Sequence, residues 1–369
     1  MKLIYFSNSV LFSKKANSIQ VMKMCEAFSN DFEEVVLYAY SHQKSIESVH
    51  EFYGVRNNFI IKIYPLKKNR LNRILNSILT LVPLIFSSKN EKIMIYCREI
   101  FSSFFSSLLQ IRNIYEIHNL PSVNTVSLIK YIFKSKANIF NISISNNLKN
   151  KLIELYKPTN TVYVCHDGAS LSDNLPKTLP EFYDQYSFNI GYVGHLYKGR
   201  GIELIIELAK RLPEFGFQIV GGEKEDLKRL SNNSPKNIFY HGFVTPKETD
   251  MYRYFADILL MPYKDGLGEK GSLIDTSPWM SPMKLFEYMS SKKPIISTDL
   301  PVLREVLNEN NAILVPYEVL EWEKAIMKIY SNKEFANSIA NQAFNDLSTK
   351  YSWAKRSESI SKLIKKSNQ

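Results

Sequence analysis

Two stretches of this chain combine residue types that could hold a charged ligand. In "SPMKLFEYMSSKKPIISTDLP", residues 281–301, Lys284 and Glu287 stand three apart and share one helix face. Ser281 is expected as the N-cap and Pro282 as the first helical residue, which leaves the first-turn N–H groups of Met283 and Lys284 free to meet an anion. Leu285, Phe286 and Met289 read as buried, so Glu287 among them needs hydrogen-bond donors, and two vicinal ribose hydroxyls would supply them. A local lysine to glutamate ion pair is the plainer alternative. In "FNIGYVGHLYKGRGIELII", residues 188–206, an apolar strand ends at Gly194, the chain turns through Gly199 and Gly201, and a helix opens near Ile202. Backbone N–H groups and the helix dipole favour an anion there, and Lys198 and Arg200 add a point charge and a planar fork suited to a diphosphate. A glycine turn with two solvated cations is the bland alternative.

Other chemistry finds little support. His118 closes "NIYEIH" and is a candidate for facing a cleft; His166, His195 and His241 fit binding or structural roles better than proton transfer. There is no GxSxG, GxxxxGKS or HExxH, which leaves hydrolase and P-loop readings without a foothold. Cys25, Cys97 and Cys165 are scattered, with no CxxC and no His/Cys cluster at metal spacing, so no metal is expected and a reducing cytoplasm fits.

The elements that must position these residues come in two series. Up to residue 170, "KLIYFS", "EVVLYAY", "FIIKIYP", "KIMIYC", "NIYEIH", "NIFNISIS" and "TVYVC" alternate with helix-length segments. The first helix, in "ANSIQVMKMCEAF", takes Asn17 or Ser18 as N-cap and points Ile19, Met22 and Ala27 inward. Around residues 161–180 the periodicity lapses into Gly, Ser, Asp, Asn and Pro, as a linker does. From 171 to 350 a second series follows: "FNIGYVG", "FQIVGG", "NIFYHG", "DILLMPY", "KPIISTD" and "AILVPY", each separated by a helix or loop. Residues 351–369 read as a last helix returning to the first domain. Two doubly wound α/β domains, with a ligand at the carboxyl ends of their strands, follow from the pattern. The length of 369 residues, 45% of them hydrophobic, suits two such cores.

Charge is unevenly placed. Of a net +11, residues 56–151 hold 15 Lys or Arg against 3 acids, while the remainder is near neutral. Within that region "PLKKNRLNRILNSILTLVPLIF" sets Lys67, Lys68, Arg70 and Arg73 beside an apolar run, as a helix lying on anionic lipid would. A core helix with a solvated basic end is the alternative. Nucleic acid is not expected, because no zinc-finger spacing or RNP-type motif accompanies the charge. The run 74–86 is too short to cross a bilayer, and "MKLIYFSNSV" lacks the apolar core of a secretory signal.

Taken together, "KKANSIQVMKMCEAF", "EIHNLP", "HDG", "GYVGHLYKGRGIELIIELAKRLP", "IVGG", "HGFV", "SPMKLFEYMSSKKPIISTDLPVLREVL" and "YSWAKRSESI" resemble the family 4 glycosyltransferases, retaining enzymes of the GT-B fold that use nucleotide sugars without a metal. The resemblance implies two Rossmann-like domains, a nucleotide-sugar donor, a UDP-sugar by preference, and a saccharide acceptor. With the basic first domain, it points to a lipid-linked acceptor, surface-polysaccharide assembly and a peripheral place on the inner membrane face. It makes Lys198, Arg200 and Lys284 diphosphate ligands together with the Met283 N–H, places Gly194, His195, Ser281 and Leu285 around them, gives Glu287 the ribose and Phe243 or Val244 the base, and sets His118 near the transferred sugar. Three features depart from the pattern. Where a further glutamate is often found, eight residues before Glu287, stands Trp279, for which Asp275 could substitute. His195 stands where an arginine is frequent. "SNSVLFSKKANS" replaces a glycine-rich loop, leaving Lys15, Asn17 or Ser18 for donor or acceptor contacts. A nucleotide-sugar 2-epimerase of the same architecture and an inactive nucleotide-binding scaffold are the competing readings.

Overall fold

The computed structural model describes residues 1–13, 15–43, 45–87, 92–171, 176–197, 199–232, 234–245, 248–264, 266 and 276–367. The chain forms two compact units, one of residues 1–167 with 353–369 and one of residues 168–352. The first contains β1 (Lys2–Val10), α1 (Ala16–Phe28), β2 (Glu34–Tyr40), α2 (Val49–Tyr53), β3 (Ile60–Ile63), α3 (Arg70–Ser87), β4 (Ile93–Cys97), α4 (Ile100–Leu108), β5 (Asn113–Ile117), α5 (Val126–Lys134), β6 (Asn138–Ser143), α6 (Asn146–Tyr156) and β7 (Val162–Val164). The second contains β8 (Asn189–Val193), α7 (Ile202–Arg211), β9 (Gly216–Val220), α8 (Lys224–Ser231), β10 (Ile238–Gly242), α9 (Thr249–Phe255), β11 (Ile258–Met261), α10 (Met283–Ser290), β12 (Ile295–Thr298), β13 (Ile313–Val315), α11 (Val319–Ser331) and α12 (Lys333–Asp346). The last helix, α13 (Trp353–Lys366), belongs to the first unit and packs on α1.

Both sheets are parallel and doubly wound, in the orders β3-β2-β1-β4-β5-β6-β7 and β10-β9-β8-β11-β12-β13. Every apolar run read as a strand forms one. The reason is burial on both faces: β5, β8, β9, β11 and β12 have no exposed position, which continuous Ile, Val, Leu and aromatic runs satisfy. In each sheet the strand order reverses beside the first strand of its series, between β1 and β4 and between β8 and β11, and such a reversal opens a crevice at the carboxyl ends.

Polar contacts override the expected start of α1. The helix begins at Ala16 with Lys15 as N-cap, not Asn17 or Ser18. The Ser18 hydroxyl donates to the Val10 carbonyl at 3.0 Å and is therefore unavailable to cap. Ile19 is only half-buried, whereas Ser18 and Gln20 are buried. Gln20 turns inward because its Nε2 donates to Glu116 Oε1 at 2.8 Å.

Glu116, on β5, is the centre of the first unit's interior. Its carboxylate is 1% exposed and accepts from Gln20, Tyr96 and His118, while Arg356 of α13 reaches both oxygens at 3.2 and 3.3 Å. Arg356 also donates to the His166 and Cys165 carbonyls. Burial alone would push the Glu116 carboxyl up, but Arg356, the His118 hydrogen bond and Arg98 outweigh it and hold it well below the usual carboxylate range. Removing one partner of such a buried pair strands the other charge. Arg356→Met is therefore expected to cost roughly 3–5 kcal/mol in urea unfolding, with Glu116→Gln/Arg356→Met recovering a large part of it. A double variant no more stable than Arg356→Met alone would show that the pair is not what holds α13.

Candidate functional site

The site in the second unit is built where β8 and β11 end. Gly194 follows β8 with φ 157°, and a Cβ there would lie 2.6 Å from Lys284 Nζ, so only glycine lets the lysine stem pass. Gly201, φ 80°, caps α7, and a Cβ on it would sit 2.0 Å from the Pro262 carbonyl oxygen. These close approaches bring the turn after β8 against the chain leaving β11, at the topological switch point.

Arg200 and Lys284 converge there. The Arg200 guanidinium lies over the Tyr197 ring at 4.7 Å and the Tyr263 ring at 5.0 Å, and donates to the Tyr197 hydroxyl. Its buried Nε has no hydrogen-bond partner. Lys284 Nζ stands 3.8 Å from the centre of the Tyr192 ring and 5.2 Å from that of Tyr263. Desolvation first, and then the Arg200 charge, hold the lysine well below its ordinary value against the pull of Glu287. Aromatic faces attract both cations, and among the described residues neither forms an ion pair. Two basic side chains thus stand beside one tyrosine, with no carboxylate of the described residues paired to either.

The helix carrying Lys284 starts one residue later than expected. Pro282 is the N-cap and Met283 the first helical residue, so Ser281 is not the cap. The extended backbone at Pro282, ψ 118°, ends the approach from the short turn of 3-10 helix Ser277–Trp279. Leu285 and Met283 are buried, Leu285 within the core, so their contribution to a ligand is confined to the backbone. Glu287 is not deeply buried: its side chain is 29% exposed, and the donor it was expected to need is partly supplied by Arg253 of α9, at 3.4 Å from Oε2. No Lys284 to Glu287 ion pair forms. Arg253, 3% exposed, was missed by sequence reasoning; its place between Tyr252 and Tyr254 on an inward helical position was the available signal. Tyr192, Tyr197 and Tyr263 were missed as well, although each flanks a strand end or turn already in view.

The remaining candidates are placed as follows. His195 is exposed, and its carbonyl accepts from the Tyr192 hydroxyl at 2.7 Å. Phe243, 40% exposed, and half-buried Val244 follow β10, whose terminal Gly242 bonds to Gly221 after β9. Lys198 and Asp275 lie outside the described residues. In the first unit, Arg98 joins two candidates: it donates to the Asn17 carbonyl at 3.0 Å and meets His118 Nδ1 at 3.2 Å. Because Nδ1 faces a guanidinium, it must accept, so Nε2 carries the proton and donates to Glu116 at 2.5 Å. Burial and then Arg98 keep His118 below its ordinary value. Both ring nitrogens are thus committed, and His118 in this arrangement is not a free proton carrier. Ser18 is buried and bonded to Val10, whereas Lys15 is exposed. Among the described residues no group of three or more His, Cys, Asp or Glu could hold a metal.

Comparison with known proteins agrees with this geometry. Residues 187–332, which carry the Arg200 and Lys284 site, match the family Glycosyl transferases group 1. The chain is 28% identical over 167 residues to the alpha-galactosylglucosyldiacylglycerol synthase of Streptococcus pneumoniae, covering 43% of this chain and 40% of that protein. It is 30% identical over 122 residues to TuaH of Bacillus subtilis, a glycosyltransferase assigned to teichuronic acid biosynthesis, covering 30% and 27%. The chain thus spans less than half the length of these two relatives. Among solved structures, Anabaena HepE in complex with UDP superposes with a TM-score of 0.70 at 14% identity over 99% of this chain and 100% of that one. The glycosyltransferase of Rickettsia africae superposes with a TM-score of 0.74 at 13% identity, covering 100% and 98%. The fold is GT-B, two Rossmann-like domains.

The held-down lysine yields a prediction. The unfolded chain binds that proton more tightly than the folded one, so Lys284 subtracts stability below its unfolded value, and the loss fades as pH rises through its folded value. Lys284→Met should raise the melting temperature of the ligand-free protein, by roughly 2–4 °C for each kcal/mol recovered. An anion bound beside Lys284 favours its protonated form, so UDP affinity should fall as pH rises through the lysine's folded value, with proton uptake on binding over that same range. Calorimetry in buffers of different ionisation heat checks the uptake; pH-independent binding without proton uptake would remove Lys284 from the site.

Proposed function

We propose that the chain is a retaining glycosyltransferase moving a sugar from a nucleotide diphosphate, a UDP-sugar by preference, to a lipid-linked saccharide in the assembly of a surface polysaccharide or glycolipid. The observation that carries the reading is the pair Arg200 and Lys284, two basic residues without ion pairs among the described residues, at the switch point of a sheet whose sequence matches a glycosyltransferase family. A departing diphosphate gains negative charge as the sugar leaves, and fixed cations in a half-buried site stabilise that charge more than water would. The unpartnered Nε of Arg200, the Lys284 ammonium and the first-turn N–H groups of α10 are the donors available. Lys198, in the same turn by sequence, would add to them.

The roles of the other residues follow. Glu287 is braced at Oε2 by Arg253, and its Oε1, without a partner among the described residues, can accept from a ribose hydroxyl. Phe243 and Val244 stand after β10 as an apolar surface for a base. In same-face transfer the departing phosphate oxygen takes the acceptor proton, so the protein needs no carboxylate nucleophile, and the reading assigns no metal. His118, fixed by Arg98 and Glu116, acts as a positioning residue beside the sugar rather than as the base. The UDP and UDP-glucose complexes of HepE support a UDP-sugar donor. The relatives named for a glycolipid and for teichuronic acid support an acceptor at the cell surface. Peripheral contact with the anionic inner membrane face accords with the basic stretch 56–151; no helix among the described residues is long and apolar enough to span a bilayer.

The test is thermal. UDP at about 100 times its dissociation constant should stabilise by roughly 2.7 kcal/mol, GDP should do less, and Glu287→Ala should abolish the UDP shift while the ligand-free melting temperature stays close to wild type. Absence of any shift with either nucleotide, in folded protein, would overturn the donor assignment.

A further inference from the structure

The helix α3 is folded with its polar side inward. Leu71, Leu75, Leu79 and Val82 fall at i, i+4, i+8 and i+11 on one face and are 65%, 39%, 53% and 40% exposed. The opposite side buries Asn76, Ser77 and Thr80, at 0%, 1% and 8% exposure, together with Leu81 at 0%. Hydrogen bonds lock this orientation. Asn76 bonds the Leu66 N–H and C=O at 3.1 and 2.9 Å, and Ser77 meets Ser102 of α4 at 2.9 Å. Arg73 grips Glu99 through two bonds of 3.0 and 2.8 Å. Rotating the helix to hide its leucines would break all of them at once.

The neighbour α4 repeats the inversion. Beside Ile100 and Phe101 it buries Ser102, Ser103, Ser106 and Ser107, each at 0%, while its last residue Leu108 and the following Leu109 are 48% and 37% exposed. The helices α3, α4 and α5 pack side by side, and Tyr131 of α5, 38% exposed, meets Phe104 edge-on at 5.2 Å. In water this arrangement is unfavourable, since apolar area stays wet while hydroxyls and amides fill the interior.

The charge around it has one sign. Of the three carboxylates between residues 56 and 151, Glu99 is buried against Arg73, Glu116 is buried against Arg356, and Glu91 lies outside the described residues. Every charged side chain that this stretch exposes, among the described residues, is a cation. Lys67 and Arg70 stand at the start of the leucine stripe, and Lys130 and Lys134 on α5.

We infer that the outer face of α3, continued by the end of α4 and by α5, is a membrane-insertion surface that lays Leu71, Leu75, Leu79 and Val82 into the headgroup boundary of an anionic bilayer. This deepens the membrane contact of the proposed function, giving it a face and an orientation. Lysine and arginine beside the stripe hold the lipid phosphates, and the leucines supply the apolar contact that charge alone lacks.

The experiment is flotation of the full chain with vesicles of equimolar phosphatidylglycerol and phosphatidylcholine, against phosphatidylcholine alone. Wild type should float with the anionic vesicles at low salt. Leu75→Glu/Leu79→Glu should reduce binding about ten-fold or more at every salt concentration. Lys67→Glu/Arg70→Glu should reduce it by at least about five-fold per cation at low salt and little at high salt. Both variants should keep the melting temperature and the UDP shift, because these side chains are exposed and far in sequence from the nucleotide residues. Wild type that stays unbound from anionic vesicles overturns the inference, as does leucine-variant binding equal to wild type. So does light scattering that finds a dimer in wild type and a monomer in the leucine variant, which would make a second copy the cover. A missing UDP shift with vesicle binding intact would sink the donor reading and leave this one standing.

Discussion

The first unit depends on one buried carboxylate. A lone ionised glutamate in an interior is far too costly to persist, and Glu116 is tolerated because Arg356 arrives from the other end of the chain to neutralise it. That requirement makes the sequence return. After the second unit the chain passes Ser352, which pairs with Ala169 where the chain first crossed, and then lays α13 along α1. Ser357 adds a hydrogen bond to Asp31 at 2.5 Å on the same helix face. Local packing alone would give α13 a greasy groove; the Glu116 to Arg356 pair fixes its register, since a shift by one residue removes the guanidinium from both carboxylate oxygens.

The same carboxylate governs what the first switch point can do. Both sheets reverse order beside their opening strand, so both present strand ends suited to a ligand. In the first, the polar groups bond one another: Glu116 to His118, His118 to Arg98, Arg98 to Asn17 and Gln20. In the second, Arg200 and Lys284 have tyrosine faces but no carboxylate partner among the described residues. A closed network is rigid and shapes a surface, whereas an open pair of cations draws a ligand. In the proposed reading, this asymmetry is what would make the second unit the diphosphate holder and the first the part that positions the acceptor.

How much of this was legible follows from the kind of signal each feature leaves. Strands such as β5, β8, β9, β11 and β12, buried on both faces, are written as largely apolar runs, and every strand among the described residues could be read. The glycines at 194 and 201 and the cations at 200 and 284 stand in local motifs and could be read as an anion site. The helix starts were misread at Ser18 and Ser281 because a hydroxyl before a helix has two uses, and the choice depends on a distant acceptor such as the Val10 carbonyl. The donor for Glu287 was assigned wholly to a ligand because Arg253 lies 34 residues earlier, and no periodicity links the two. The tyrosines around Arg200 and Lys284 looked like core residues, since an aromatic ring that packs and one that faces a cation have the same neighbours in sequence.

The inverted helix marks the deeper limit. An amphipathic pattern fixes that a helix has two unlike faces and where they lie on the wheel, but it carries no sign saying which face meets the protein. Burial usually supplies that sign, with leucine inside. In α3 the sign is set by geometry outside the helix: Leu66 needs a partner for its N–H and C=O, Glu99 needs a cation, and Ser102 needs a hydroxyl. Once Asn76, Arg73 and Ser77 answer those needs, Leu71, Leu75 and Leu79 have only the outside left, and of the helix's leucines Leu81 alone is buried. The polar contacts decide because each unmet buried group would cost about 1–3 kcal/mol, comparable to what burying one leucine returns, and three such sites must be met together. A stripe left outward on those grounds still keeps apolar area wet, a cost that is relieved where its surroundings are not water.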